Sequence, residues 1–115
     1  MQTHPDTPGP MKPASFHILL VLAGSSSHGL GIAKAVDEAT EGAMTLGPGT
    51  LYRALKELML EGLIVEIDPP ESSGDPRRRF YEITPTGLQR ARAEAERLAT
   101  LVRIAQRNAV LPEAR

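Results

Sequence analysis

Arg77, Arg78 and Arg79 stand consecutively in a chain otherwise sparse in reactive side chains. Guanidinium groups donate in pairs to phosphates and carboxylates, so three in a row suit an extended anion. The plainer alternative is a solvated loop in which they pair with Glu71 and Asp75. A second set of donors, Thr50, Tyr52, Arg53 and Lys56, combines two hydroxyls with two cations at close spacing. The groups that reactions need are missing. There is no cysteine, which removes disulfides, thiolate metal ligands and thiol nucleophiles together. His4, His17 and His28 share no metal-ligand spacing, and no carboxylate pair stands near them for acid–base work. Pro48-Gly49-Thr50 lacks the lysine and the preceding strand of a phosphate-cradling loop. No metal or other cofactor is expected, and catalysis is the least supported reading.

These residues sit in a chain of 115 with 41% apolar and 23% charged side chains, the material of one globular domain. A chain this short buries only about two-thirds of its unfolded surface, which favours a partner subunit. The longest apolar run, Ile18 to Ala23, is far below the ~18 residues of a membrane span. No secretory leader pattern is present, so the expected compartment is the cytoplasm, with no membrane partner. Net charge is only −1, but it is segregated. Five further arginines lie between Arg90 and Arg107, whereas Glu66, Asp68, Glu71 and Asp75 occupy a stretch with no base. Separated patches show where a polyanion could land, and the total alone does not.

Stepping along the chain, residues 1–13 are rich in proline and offer little to bury, which predicts a disordered tail with Pro13 opening a helix. Ala14 to Ala23 reads as a helix apolar on every face, and such a helix is buried on every face, here with one face against something beyond its own domain, most simply a second subunit. Gly24 ends it, and Ser27 is the expected cap of a second helix over residues 28–40, weakened by Gly29 and Gly31. Residues 41–47 form a turn. Pro48 opens a third helix with Leu51, Leu55, Leu58 and Met59 as its apolar stripe and Gly62 as its stop. Leu60 falls opposite that stripe, and packing under the hairpin or against a second copy remain equal readings. Leu63–Ile67, β-branched and apolar, and Phe80–Ile83 then read as strands of a hairpin with a polar tip, in which Phe80 and Tyr81 pack and Arg78 points opposite to Arg77 and Arg79.

Thr84 caps a last helix, read as residues 85–109, with a flexible tail over 110–115. Leu88, Ala91, Ala95, Leu98, Val102, Ala105 and Ala109 step by three and four in turn, a heptad seam widened by Leu101 and Ile104. One reading packs this seam on its own domain. The other, which we favour, pairs two copies, because a helix of about 35 Å at 1.5 Å per residue outruns so small a core.

The order helix, helix, helix, hairpin is that of a winged helix-turn-helix domain, here residues 14–84, followed by a C-terminal dimerisation helix. The fold class is therefore mainly α with a small β-hairpin. His28-Gly29, Leu46-Gly47-Pro48-Gly49-Thr50-Leu51-Tyr52, Glu61-Gly62-Leu63-Ile64 and Arg78-Arg79-Phe80-Tyr81, with Thr84 and Gly87, closely resemble the PadR family of transcriptional regulators. The resemblance covers about residues 16–90. It implies a homodimeric repressor on a palindromic operator in double-stranded DNA, joined through its first and last helices, and released by a small-molecule effector. Leu30-Gly31 departs from the aromatic and polar residues usual in the family. The last helix has no aromatic residue, so planar ligands have nothing to stack on there. An aliphatic effector, a pocket lined by Phe16, and no effector all stay open.

On this reading Arg53 and Lys56 donate to base edges in the major groove, while Thr50 and Tyr52 reach phosphates or bases. Arg77, Arg78 and Arg79 hold the backbone without reading sequence. Phe16, Leu19, Leu20, Leu88, Ala91, Ala95, Leu98, Val102 and Ala105 are the expected dimer contacts. His28 is read as a local hydrogen-bonding residue rather than a ligand or pH sensor. The alternative of a different class is a winged-helix module that binds proteins and no operator, which the near-neutral charge favours slightly. The operator, the regulated genes and the sign of regulation are not written in the sequence.

Overall fold

The computed structural model describes residues 9–75 and 77–113, so the expectations for residues 1–8, Pro76 and residues 114–115 lie outside it. Pro13 begins α1 (Pro13–Gly24), whose ring supplies the fixed backbone angle of a first helical turn. A two-residue strand β1 (Ser27–His28) leads into α2 (Gly29–Ala39). Pro48 likewise opens α3 (Pro48–Leu60), and Gly62, at φ 75°, ends it in the left-handed conformation that glycine adopts without a Cβ clash. Strands β2 (Ile64–Ile67) and β3 (Phe80–Ile83) follow, joined by a loop with a short 3₁₀ turn at Glu71–Ser73. The chain then enters α4 (Pro85–Arg107). Among the described residues, no helix is long and apolar enough to cross a membrane.

The architecture is the expected mainly helical one with a winged hairpin, and the sheet is larger than the sequence suggested. It has three antiparallel strands in the order β1-β3-β2, with His28 opposite Phe80 on one side and Ile67 opposite Phe80 on the other. Two residues of β1 have no periodicity to detect, so only the tertiary pairing defines them. The cap of α2 is also different. His28, not Ser27, holds the N-cap, its Nδ1 accepting the Gly31 N–H at 3.1 Å.

The core gathers Ile18, Leu19 and Leu22 of α1, Ile32 and Val36 of α2, Leu51, Leu55 and Leu58 of α3, and Ile64 and Tyr81 of the sheet. Leu19 is wholly enclosed in it and Ala91 is 5% exposed, so these two expected dimer contacts are spent on the chain's own interior. The helix α1 is apolar all round and keeps one face outside the chain's own core: Leu20 is 48% exposed.

Residues 9–12, expected as part of a disordered tail, are instead tied down. Arg90 donates to the Gly9 carbonyl at 2.6 Å, Met11 packs on the core, and Lys12 bridges to Glu57 of α3 at 3.2 Å. Beyond Ala95 the helix α4 runs on with Leu101, Val102 and Ile104 exposed. It ends at Arg107, so Ala109, at φ 58°, lies past the helix and cannot continue the heptad.

Candidate nucleic-acid interface

The apolar stripe of α3 decides which of its polar residues face outward. Burial of Leu51, Ala54, Leu55 and Leu58 leaves Thr50, Tyr52, Arg53 and Lys56 exposed, as their spacing predicts. Neither Arg53 nor Lys56 makes an ion pair among the described residues. Glu57, the acid on this helix nearest them, is held by Lys12. Lys12, Thr50, Arg53 and Glu57 also share one shallow cavity, which adds Lys12 to the basic surface, a residue that sequence spacing alone could not bring there. Leu60 is 78% exposed, so it does not pack under the hairpin.

The wing arginines are not in a strand, because β3 starts only at Phe80, and the expected strand alternation among them does not apply. Arg77 turns toward Asp75, with Nε 3.6 Å from its carboxylate. Arg78 and Arg79 instead line a common cavity of about 300 Å³ with His28, Gly29, Tyr52 and Tyr81. The cavity joins three elements: the first turn of α2, the exposed Tyr52 of α3, and the root of the wing. Its closeness rests on glycine. A β-carbon at Gly29 would stand 2.8 Å from the Tyr52 hydroxyl oxygen, and one at Gly31 would collide with the Ser27 hydroxyl. Both glycines thus weaken α2 locally while admitting the neighbours that shape the site.

His28 stands at the centre of this arrangement. Its ring packs edge-on against Phe80, with centroids 5.3 Å apart, and its Nε2 lies 3.2 Å from Arg78 Nη1. Burial, and then the Arg78 charge, lower its pKa, so the imidazole is neutral at neutral pH. Burial raises the Tyr81 pKa and the Glu66 carboxylate opposite adds to this, while the Arg79 guanidinium works the other way. Tyr81 therefore remains a neutral hydroxyl. The reading of His28 as a local hydrogen-bonding residue holds at its Nδ1, but the cap itself was expected at Ser27, because serine outranks histidine there. Its signal was the His-Gly pair at the helix start. Among the described residues, no cluster of three histidines or acids is placed to hold a metal ion.

The profile of the transcriptional regulator PadR-like family matches residues 18–93. The chain belongs to the PadR family. No curated protein matches it in sequence. A transcriptional regulator from Clostridium thermocellum superposes with TM-score 0.70 at 26% identity, over 82% of this chain and 87% of that one. A PadR family regulator from Clostridium difficile gives TM-score 0.72 at 24% identity, over 85% and 99% of the two chains. The PcaV transcriptional regulator from Streptomyces coelicolor shares the fold at 18% identity and TM-score 0.68, over 84% of this chain and 64% of that one. As a PadR-family member the chain is a DNA-binding transcription regulator and not an enzyme. The matched stretch runs from α1 into the first turns of α4, and so contains α3, the wing and the cavity at its root, while the outer part of this PadR chain's last helix lies beyond it.

Proposed function

We propose that the chain is a cytoplasmic homodimeric repressor that binds an inverted-repeat operator in double-stranded DNA. In this reading α3 enters the major groove, Arg53 and Lys56 donate to base edges, and Thr50 and Tyr52 fix the helix against the backbone. Arg77, Arg78 and Arg79 hold phosphates beside the groove. The observation that carries the reading is the common cavity, which sets two wing arginines beside Tyr52 of α3. One surface then carries both the donors for bases and the donors for phosphates.

Dimer formation is supported by the apolar surface left on α1 and α4. Phe16 and Leu20 on α1, with Leu88, Ala95, Leu98, Val102 and Ala105 on α4, are the proposed contacts, and Leu101 and Ile104 add exposed apolar area beside them. A small effector bound near that junction would release the DNA. The PcaV regulator has been solved in complex with its natural ligand, which gives precedent within the shared fold.

Selection of duplexes from a random library, followed by fluorescence anisotropy, tests the proposal. An enriched inverted repeat is expected, with half-sites about one helical turn apart. R53A and K56A should lower affinity for the selected duplex by about tenfold or more and for random duplex much less, since a good base contact discriminates by about 1–3 kcal/mol. Loss of Arg79 should weaken both duplexes alike. Binding of all duplexes with equal affinity, or a monomer at micromolar concentration in the ultracentrifuge, would refute it.

A further inference from the structure

Two donors face each other at the wing root with no acceptor between them. A neutral imidazole has one N–H and one lone pair. The His28 lone pair at Nδ1 is engaged by the Gly31 N–H, at 3.1 Å, so the proton must be on Nε2. That N–H lies 3.2 Å from Nη1 of Arg78, a group that only donates. Moving the proton to Nδ1 transfers the conflict to Gly31, and protonating the ring creates it at both ends. An oxygen lying beside both donors would satisfy the two together.

We infer that the cavity bounded by His28, Arg78, Arg79 and the Tyr52 hydroxyl is an anion seat, and that it takes one phosphate of the DNA backbone. This rests on the DNA-binding reading above and assigns His28 a part in it. The guanidinium of Arg78 supplies charge, and His28 supplies a neutral, directed N–H donor. Arg79 and Tyr52 are exposed at its rim, which suits a phosphate presented by a large partner lying across α3. Gly29 and Leu30, at the N-terminus of α2, also line the cavity, and the positive end of the helix dipole there favours an anion. Gly29 keeps the approach open, because any side chain there would meet the Tyr52 hydroxyl.

The test uses the full chain, a selected duplex, a random duplex and inorganic phosphate. H28N preserves the cap, because an asparagine oxygen accepts the same Gly31 N–H, and removes the donor at Nε2. It should weaken both duplexes about tenfold with the salt slope unchanged, because no charge is lost. R78Q, a change at an exposed side chain, should weaken both and reduce the slope of log affinity against log salt by about one. Nitrogen-15 spectra should show the Nε2–H tautomer in the free protein, with that resonance shifting when duplex is added. Wild-type binding of duplex with H28N and R78Q unchanged would overturn the seat and leave the DNA-binding reading standing. Absence of any duplex binding by the wild type would overturn both. A His28 shift on adding inorganic phosphate, with duplex affinity indifferent to both variants, would make the site one for a free anion and overturn its assignment to DNA.

Discussion

Thr84 and Gly87 explain why a short motif can be so restrictive. The Thr84 hydroxyl accepts the Gly87 N–H at 2.9 Å and donates to the Gly62 carbonyl at 2.7 Å, so it caps α4 and ties it to the end of α3. Gly87 is pressed against Leu63, and a β-carbon there would run into the Leu63 carbonyl, a backbone atom that cannot swing aside. G87A should therefore destabilise the fold by about 1–3 kcal/mol or more, as overpacking does. A urea titration would show a lower midpoint, whereas G49A, with open space around it, should shift little. The Thr84 cap was legible because threonine before proline is a known helix opening, and the clash at Gly87 was not. Which backbone atom presses on a glycine depends on how two elements meet in space. The same applies to His28, whose neighbour Arg78 stands fifty residues away along the chain.

Elements were read best where one local signal sufficed. Prolines open α1, α3 and α4, and the glycine after α3 ends it in both readings. The hairpin followed from its β-branched and apolar runs on either side of a polar tip. What failed were features set by packing: the third strand, the ordering of residues 9–12, and the division of the heptad seam. Ala91 packs inward near the base of α4, but Val102 is 45% exposed and Leu101 is 49% exposed farther along, so one stripe meets two different environments. This division gives a clean experiment. L101E, at an exposed position, should leave the circular-dichroism spectrum of the folded unit unchanged while raising the dimer dissociation constant at least tenfold in sedimentation equilibrium. Unaltered association would remove the outer turns of α4 from the proposed interface.

Across the whole molecule, charge couples the parts that apolar packing leaves separate. Glu94 is almost fully buried, and its Arg97 partner at 2.7 Å is the main reason its carboxyl pKa is lowered, with the Met11 N–H assisting. His28 also has a depressed folded pKa. For both groups the unfolded chain binds the proton more readily, so each adds stability above its ordinary pKa and loses it as pH falls through the depressed one. Thermal melts against pH should therefore fall in two stages, the first below about 6.5 and the second below about 4.3. H28N should abolish the first and E94Q the second, and a single unchanged acid transition in both variants would contradict this account.

The exposed outer part of α4, from Ala95 to Arg107, is about 20 Å long at 1.5 Å per residue. In a dimer joined there it acts as a lever between the clasp and the reading heads. A swing of about 10° at its base moves the far end by about 3.5 Å, close to the 3.4 Å rise of one base step. In such a dimer, small changes where α4 rests on α1 would translate into whole-step changes in the distance between the two DNA-binding units, and a ligand wedged at that fulcrum would need to do no more.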